Sequence, residues 1–376
     1  MEDSALYIHI PFCEHKCIYC DFYSIITFEN KNEFIHSLEK EIDYYSDNFR
    51  DKMKFKTIFF GGGTPSIFSP DEIAHILEYL NSKFHFSENM EITLETNPGT
   101  VDKEKLLDFR KNGINRLSIG IQSFDENDLR FLTRIHDKKS AIETVVSAYQ
   151  SGFENLNIDL IFNLPNQTKE KWKENLDIAC TLPISHISTY SLILERGTIL
   201  NKMVLDGKVN LQDDDYDADL YQFTIEHLSN EGFIQYEVSN FAKVGFECLH
   251  NLFYWQHKNY LGLGPSAHSF YKNKRWWNFT SLKRYIEEVK IKSNAIMSEE
   301  KLSVSELQSE FIMLALRSKG LNLQEVKDKF GNQWLDKNQS KIENYIQAGY
   351  ILQQENKLKL TSSGYAVCDE ILKNLL

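Results

Sequence analysis

The stretch Leu6-Tyr-Ile-His-Ile-Pro-Phe-Cys-Glu-His-Lys-Cys-Ile-Tyr-Cys20 opens the chain and decides how the rest is interpreted. An apolar, strand-like run is followed at once by Cys13, Cys17 and Cys20, with the spacing C-x3-C-x2-C. A loop this short can bring three thiolates to one metal cluster, and no fourth cysteine lies nearby. Because an iron–sulfur cluster normally has four cysteine ligands, one iron would stay open to another ligand, as in a chemically active metal site.

Two other interpretations of these cysteines remain open from the residues alone. Short cysteine spacings are shared with zinc sites, where His9 or His15 would supply the fourth ligand; alternatively, the three thiols are free. The remaining cysteines, Cys180, Cys248 and Cys368, are scattered. They do not form the pattern of a disulfide framework, so we expect a reducing compartment.

Composition and charge exclude several classes of protein. The chain has 376 residues, a length that suggests two or three domains or one barrel with an appendage. Its 42% hydrophobic and 26% charged residues are those of an ordinary folded protein. Its 42 basic and 54 acidic residues give a net charge of −12, which argues against a nucleic-acid partner. No apolar run is long enough for a membrane span, and the acidic first residues are unlike a secretory signal. We therefore expect a cytoplasmic protein.

Apolar strand-like runs alternate with amphipathic segments over roughly the first two-thirds of the chain. The predicted strands are residues 6–12, 57–60, 91–95, 116–121, 156–162 and 186–194. The predicted helices are residues 32–45, 70–83, 102–112, 140–151 and 168–181. This alternation predicts an α/β fold with a parallel sheet. Six such units form a partial (βα)6 TIM-like barrel, with chemistry at the carboxyl ends of the strands.

The later part of the chain has a different pattern, which predicts three regions. Residues 1–235 form the barrel, and residues 236–297 form an aromatic, glycine-rich connecting segment. Residues 298–376 are mostly helical, with a hairpin over 352–361, and form a winged-helix-like domain. We expect this domain to pack against the barrel or cover it rather than to bind DNA.

The cysteine spacing, with Tyr19 before the third cysteine, resembles the signature of the radical S-adenosylmethionine (SAM) superfamily. In that family three cysteines hold a [4Fe–4S] cluster, SAM chelates the fourth iron, and SAM is cleaved reductively. The resemblance implies that Cys13, Cys17 and Cys20 are the cluster ligands. It also implies a [4Fe–4S] cluster and SAM as cofactors.

Residues at or near the ends of the predicted strands match positions where the family binds SAM. Gly61-Gly-Gly-Thr-Pro65 resembles the family's GGE-like motif, although a glycine triplet alone is more often a turn. Glu95 matches the position that binds the ribose hydroxyls, and the planar guanidinium of Arg134 suits a carboxylate. The residues that the resemblance assigns to SAM are Tyr7, Tyr19, Gly62, Gly63, Thr64, Glu95, Gln122, Arg134 and Asp159.

Longer phrases are similar to the group that contains the oxygen-independent coproporphyrinogen III oxidases and the HemW heme chaperones. These phrases are residues 7–13, 60–65, 116–124 and 157–165. Three features favour the chaperones. Phe22 occupies the place of a fourth cysteine in the oxidases, Cys13 lies close to the first residue, and His250-Asn-Leu-Phe-Tyr-Trp255 matches the HNxxYW motif of the chaperones.

The resemblance implies heme as cargo, passed to an apo-hemoprotein. A membrane respiratory protein as recipient would require peripheral contact with the membrane. A neutral imidazole at His250 suits heme iron, Tyr254 and Trp255 offer flat apolar faces, and Cys248 is a second candidate ligand. In the alternative interpretation His250 and its aromatic neighbours form a core patch; His268 is a weaker candidate.

The second function considered is enzymatic. An oxidase of this group would decarboxylate coproporphyrinogen III oxidatively to protoporphyrinogen IX. The chaperone is favoured on the three features above.

Overall fold

The computed structural model describes all 376 residues. Its strands are β1 (Glu2–Ile10), β2 (Met53–Gly62), β3 (His85–Thr96), β4 (Arg116–Gln122), β5 (Asn155–Phe162), β6 (His186–Ser191), β7 (Ile234–Gln235), β8 (Asn240–Ala242), β9 (Tyr260–Leu263), β10 (His268–Tyr271), β11 (Lys274–Asn278), β12 (Ile296–Lys301), β13 (Leu321–Asn322), β14 (Ile351–Gln354) and β15 (Lys357–Leu360). Its α-helices are α1 (Lys31–Phe49), α2 (Pro70–Lys83), α3 (Lys103–Lys111), α4 (Glu126–Phe131), α5 (Lys138–Gln150), α6 (Lys169–Thr181), α7 (Ile199–Leu205), α8 (Asp214–Asn230), α9 (Leu249–Trp255), α10 (Leu282–Lys292), α11 (Val304–Leu316), α12 (Leu323–Phe330), α13 (Gln333–Gln347), α14 (Ser362–Ala366) and α15 (Cys368–Leu375).

The first six strands lie side by side in chain order and run parallel, with helices between them. Strand β4 shows how the sequence favours this layer of parallel strands. Its alternate residues Leu117, Ile119 and Ile121 are fully buried in the main hydrophobic core. The intervening residues line an inner cavity, because side chains alternate between the two faces of a strand. The α/β partial barrel predicted from the sequence is confirmed.

Helix α2 illustrates how local sequence sets the helix boundaries. Ser69 accepts a hydrogen bond from the Glu72 backbone N–H at 3.2 Å, and the Glu72 carboxylate accepts one from the Ser69 N–H at 2.7 Å. This capping box, with Pro70 at the first helical position, fixes the start of the helix. The buried residues recur at helical spacing and pack on the sheet: Ile73, Ile76, Leu77 and Leu80.

Residues 236–297 are not a separate connection between two units. Strand β8 pairs with β6, and β9 pairs with the free edge of β1, so this segment extends the sheet at both ends. The twelve strands from β1 to β12 form one sheet in the order β12-β11-β10-β9-β1-β2-β3-β4-β5-β6-β8-β7. Only glycine fits at position 262, where the backbone passes close to another segment, because a Cβ at Gly262 would collide with the carbonyl oxygen of His268.

Helix α9 lies across the end of the barrel opposite the cysteine loop. Ala242, which ends β8, pairs with His186 at the start of β6, and Tyr260, which starts β9, pairs with Ala5 in β1. The chain between β8 and β9 therefore crosses the amino ends of the parallel strands. This placement puts the HNxxYW segment at the amino ends of the parallel strands.

The C-terminal region has a hydrophobic core of its own, with 14 buried residues. Its order of elements, helix–strand–helix–helix–strand–strand, and its three-stranded sheet in the order β13-β15-β14 are those of a winged-helix-like domain. It packs near α9: Glu310 pairs with Arg275 at 2.5 Å and with His257 at 3.2 Å. None of the helices is both long and apolar enough to cross a lipid bilayer.

Candidate functional site

One cavity of about 630 Å³ runs from the carboxyl ends of the parallel strands into the barrel. Its volume is that of a small-molecule site. It is lined by all three clustered cysteines and by every residue predicted to hold SAM: Tyr7, Cys13, Cys17, Tyr19, Cys20, Gly62, Gly63, Thr64, Glu95, Gln122, Arg134 and Asp159. These residues come from five different strands and the loops that follow them, so the fold brings together what the sequence separates by up to 152 positions.

The loop with the three cysteines is fixed at its base by main-chain hydrogen bonds. The Cys13 N–H donates to the Ile25 carbonyl at 2.9 Å, and the Ile25 N–H donates to the Pro11 carbonyl at 2.7 Å. The Cys13 thiol lies 3.5 Å from the Thr64 hydroxyl. Burial raises the pKa of the Cys13 thiol and raises that of Cys20 to about 11. These thiols therefore hold their protons in the metal-free protein, and binding of a metal would displace them.

The three thiols fit an iron–sulfur cluster better than a zinc ion. All are free, and no group of three His, Cys, Asp or Glu side chains converges closely enough to hold a single metal ion. A [4Fe–4S] cluster instead takes each thiolate on a different iron. Both ring nitrogens of His9 are engaged, at 3.1 Å by the Tyr7 hydroxyl and at 2.9 Å by the Tyr23 carbonyl. His15 is exposed and bonds Thr133, so neither histidine completes a zinc site.

The glycine turn after β2 presses directly against the cysteine loop. The Gly63 N–H donates to the Ile10 carbonyl at 2.8 Å, and the Thr64 N–H donates to the Phe12 carbonyl at 2.7 Å. A Cβ at Gly63 would lie 2.5 Å from the Phe12 oxygen, so no other residue fits there. Gly62 has φ +113°, a left-handed conformation that favours glycine. The turn therefore fixes the base of the cysteine loop, and both line the same cavity.

Arg134 connects Asn97, which follows β3, with β4 and with Cys17. Its guanidinium donates to the Asn97 side-chain oxygen at 2.6 Å, to the Gly120 carbonyl at 2.5 Å and to the Cys17 sulfur at 3.5 Å. Its Nε is buried without a partner. Since buried donors are nearly always satisfied, this unpaired N–H is a group that a bound ligand would satisfy.

Two buried carboxyl groups, those of Glu95 and Asp159, line the cavity. Glu95 accepts a hydrogen bond from the Gly62 N–H at 3.1 Å, and Asp159 accepts from Ser118 at 3.2 Å and from Asn157 at 2.9 Å. Burial, and then the charge of Asp159, raise the pKa of Glu95 to about 8. Burial also raises the pKa of Asp159. A group with a raised pKa in a cavity is typical of a functional position.

The raised pKa of Glu95 predicts a pH-dependent stability in the cluster-free protein. Between about pH 4.3, the ordinary pKa of glutamic acid, and about 8, folded Glu95 keeps a proton that the unfolded chain releases. Stability therefore falls as pH rises through this window. We expect Glu95→Gln to be more stable than wild type at pH 8.5 and to show little gain at pH 4.5, measured by urea unfolding.

Glu88→Gln, an exposed change on the same strand, is the matched control and should show no such pH-dependent gain. An equal gain for Glu95→Gln at both pH values would contradict the assignment.

The structure places two of the predicted heme residues, His250 and Tyr254, in the same cavity, on the helix that crosses the amino ends of the strands. The two ring nitrogens of His250 lie 2.8 Å from the Thr57 hydroxyl and 2.8 Å from the Tyr254 hydroxyl. Burial lowers the pKa of His250 to about 3. Both nitrogens are occupied, so the prediction that His250 ligates heme iron does not fit this conformation. The alternative of a satisfied buried histidine describes the observed geometry.

Cys248 is also unavailable as an iron ligand. Its thiol is fully buried, lies 3.7 Å from the Glu91 carboxylate and, mainly because of burial, has a pKa raised to about 12. Neither Cys248 nor Trp255 lines the cavity, whereas His250 and Tyr254 do. His268 is exposed and stacks on Trp277. The predicted heme residues thus do not form one site.

Several cavity residues escaped the sequence analysis because each is an ordinary polar residue inside a strand or turn. Asn97 bridges Thr64 at 2.8 Å and Arg134 at 2.6 Å. Its position two residues after Glu95, at the end of the same strand, was the available signal. Arg116, Ser118 and Asn157 alternate along β4 and β5 with buried apolar residues, a signal of inward-facing polar positions.

Comparison with known proteins agrees with this geometry. The profile of the Radical SAM superfamily matches residues 7–179, and that of the HemN C-terminal domain matches residues 302–367. The heme chaperone HemW of Bacillus subtilis is 32% identical over 371 residues, covering 98% of this chain and 97% of its own. HemW of Haemophilus influenzae is 35% identical over 381 residues, covering 99% and 97%. The solved coproporphyrinogen III oxidase (HemN) of Escherichia coli has the same fold, with a TM-score of 0.86 at 23% identity, covering 100% of this chain and 90% of its own.

A partial parallel barrel with three thiols and a glycine turn at its carboxyl rim defines the radical SAM class of proteins. Membership of that class implies a [4Fe–4S] cluster and SAM. Within it, the chain belongs to the HemW family.

Proposed function

We propose that this protein is a heme chaperone: it holds a [4Fe–4S] cluster and SAM, binds heme as cargo and passes it to an apo-hemoprotein. The observation that carries the proposal is the convergence of three thiols and all nine predicted SAM residues on one cavity. The cargo is inferred from relatives named heme chaperones that match almost the full chain. A reducing cytoplasm, with transient contact to the membrane when the recipient is a respiratory protein, suits these cofactors.

The residues of the chain have separable roles toward the two cofactors. Cys13, Cys17 and Cys20 would hold the cluster, whose open iron supplies a binding place for the SAM amino and carboxylate groups. The Gly62–Thr64 turn offers main-chain atoms, and Glu95 offers acceptors to ribose hydroxyls. The barrel wall around them excludes water, which strengthens each of these hydrogen bonds.

In this proposal, Phe22 is the residue that distinguishes a chaperone from an oxidase. Its side chain is 62% exposed and lines the mouth of the cavity beside Cys20. An aromatic ring at the mouth offers a porphyrin a flat apolar face where a fourth cysteine would offer a thiol. We infer that the mouth of the cavity, and not His250, is where the porphyrin ring docks.

Heme titration of the anaerobically reconstituted protein tests the proposal. We expect a saturable Soret band, and transfer of the bound heme to an apo-hemoprotein added in excess. Phe22→Ala should weaken heme uptake, whereas Phe28→Ala, another partly exposed phenylalanine nearby in the sequence that does not line the cavity, should not. Absence of saturable uptake by the wild-type protein would overturn the proposal.

The second candidate, a coproporphyrinogen III oxidase, is favoured by the fold shared with the Escherichia coli oxidase over the whole chain. Anaerobic incubation with coproporphyrinogen III, SAM and a reductant distinguishes the two. The chaperone forms no protoporphyrinogen IX. Formation over many turnovers would identify an oxidase.

A further inference from the structure

A chain of hydrogen bonds between buried side chains links the start of α9 to Asp159 in the cavity. The Tyr236 hydroxyl lies 3.2 Å from the Cys248 backbone N–H and 2.7 Å from Nε2 of His186. The other ring nitrogen of His186, Nδ1, lies 2.6 Å from the side-chain oxygen of Asn157. Asn157 in turn donates to Asp159 at 2.9 Å. His186 begins β6 and pairs with Asn157 in β5, so the strand register brings these two side chains together.

The direction of each bond in this chain follows from the groups at its end. A backbone N–H only donates, so the Tyr236 oxygen accepts from Cys248, and the hydroxyl proton goes to its one other partner, Nε2 of His186. Burial, and then the charge of Arg116, hold the pKa of His186 well below its ordinary value, so the ring is neutral. A neutral imidazole that accepts at Nε2 carries its proton on Nδ1. His186 therefore donates to Asn157.

The proton on His186 sets the orientation of the Asn157 amide. The amide oxygen accepts from His186 and from the Ser188 hydroxyl at 3.1 Å. The amide N–H groups therefore point the other way, to the Ser118 hydroxyl at 2.7 Å and to one Asp159 oxygen at 2.9 Å. Ser118 donates its own proton to the second Asp159 oxygen at 3.2 Å. A flipped amide would turn an acceptor toward the carboxylate, with no proton between them.

His186 influences the cavity from behind its lining. It is fully buried, Tyr236 is 6% exposed, and neither residue lines the cavity, whereas Asn157 and Asp159 do. We propose that His186 is a positioning residue of the SAM site: its Nδ1–H orients Asn157, which holds the Asp159 carboxylate toward the cofactor. This inference rests on the SAM-binding role proposed for Asp159 and does not depend on the identity of the cargo.

Asparagine and glutamine at position 186 separate the two ring nitrogens. The asparagine N–H group lies near the position of Nδ1, and the glutamine N–H group near that of Nε2. In the anaerobically reconstituted protein, we expect His186→Asn to retain SAM affinity within about twofold of wild type and His186→Gln to lose about tenfold, by equilibrium dialysis. His75→Gln, the same change at an exposed position of α2, should bind SAM as wild type does. Iron content should match wild type in all three.

Tyr236→Phe tests the other end of the chain, because it removes only the hydroxyl that fixes the His186 tautomer. Alone, it should weaken SAM binding by about three- to tenfold. In the His186→Asn background it should cause no further loss, since an asparagine has no tautomer to fix. The two changes are therefore expected to be non-additive, as for residues that act through one network.

Equal SAM affinities in His186→Asn and His186→Gln would overturn the proposal, because the imidazole would then serve only to fill space. An equal effect of Tyr236→Phe in both backgrounds would overturn it as well. If the His186 variants fail to fold, Tyr236→Phe decides alone: the expected loss of SAM affinity supports the proposal, and wild-type affinity overturns it. Absence of SAM binding by the wild-type protein would overturn the SAM site itself, whereas absence of heme uptake would overturn only the proposed cargo.

Discussion

Replacing Cys17 with alanine should leave the protein unable to hold its cluster. Three sulfurs lie at the cavity rim, and the Cys17 sulfur accepts the only contact that a cysteine of this loop makes with Arg134, at 3.5 Å. Two thiolates and an open iron are too few ligands for a cluster that normally has four. After anaerobic reconstitution, we expect iron and sulfide to fall from about four of each per chain in wild type to near zero.

Cys180→Ala is the matched control for that experiment. Cys180 lies half-buried in α6, on the outer layer of helices and away from the cavity. Its replacement should leave iron, sulfide and SAM binding at wild-type levels. A Cys17→Ala protein with full iron content, or a Cys180→Ala protein without iron, would show that the cluster has other ligands.

Replacing Gly63 with alanine should be the most damaging single-methyl change in the chain for cofactor binding. The new Cβ would lie 2.5 Å from the Phe12 carbonyl oxygen and 2.9 Å from its carbon, both main-chain atoms that cannot rotate away. Phe12 directly precedes Cys13, so relief of the clash displaces the cysteine loop. We expect reconstituted iron and SAM affinity to fall severely, with a loss of stability of about 3 kcal/mol, measured by urea unfolding of the cluster-free protein.

Gly99→Ala separates this clash from the general effect of losing a glycine. Gly99 has φ +91°, but a Cβ added there would meet no atom within 4 Å. Its replacement strains only the backbone, by about 1–3 kcal/mol, and should leave cofactor binding unchanged. Equal iron contents in the two variants would contradict contact between the glycine turn and the cysteine loop.

The alternation of strands and helices could be predicted from the sequence, because most of the parallel strands have an apolar pattern of their own. The apolar period of two in β4 identifies both the buried face and the cavity face. Strand β3 was predicted only over residues 91–95, whereas it extends from His85 to Thr96. Its first half is polar and partly exposed, so it lacks the apolar signal. The sixth strand, predicted to 194, ends at Ser191.

The cavity rim was also predictable, because parallel strands bring their carboxyl ends to one edge. Residues that follow five different strands could therefore be placed together before any contact was known. The position of α9 could not be predicted in this way. It depends on Thr57 and Glu91, which hold His250 from strands more than 150 residues earlier in the chain, and no local pattern encodes such contacts. Likewise, residues 236–297 were predicted to form a connecting segment, because their strands are short and pair with distant partners.

Mössbauer spectroscopy of the protein reconstituted with isotopically labelled iron, with and without SAM, tests the central claim most directly. Three cysteine ligands leave one iron open, so the account predicts a cluster in which a single iron site changes when SAM is added and the other three do not. A cluster whose four irons are unaffected by SAM, or a preparation that takes up zinc in place of iron, would contradict it.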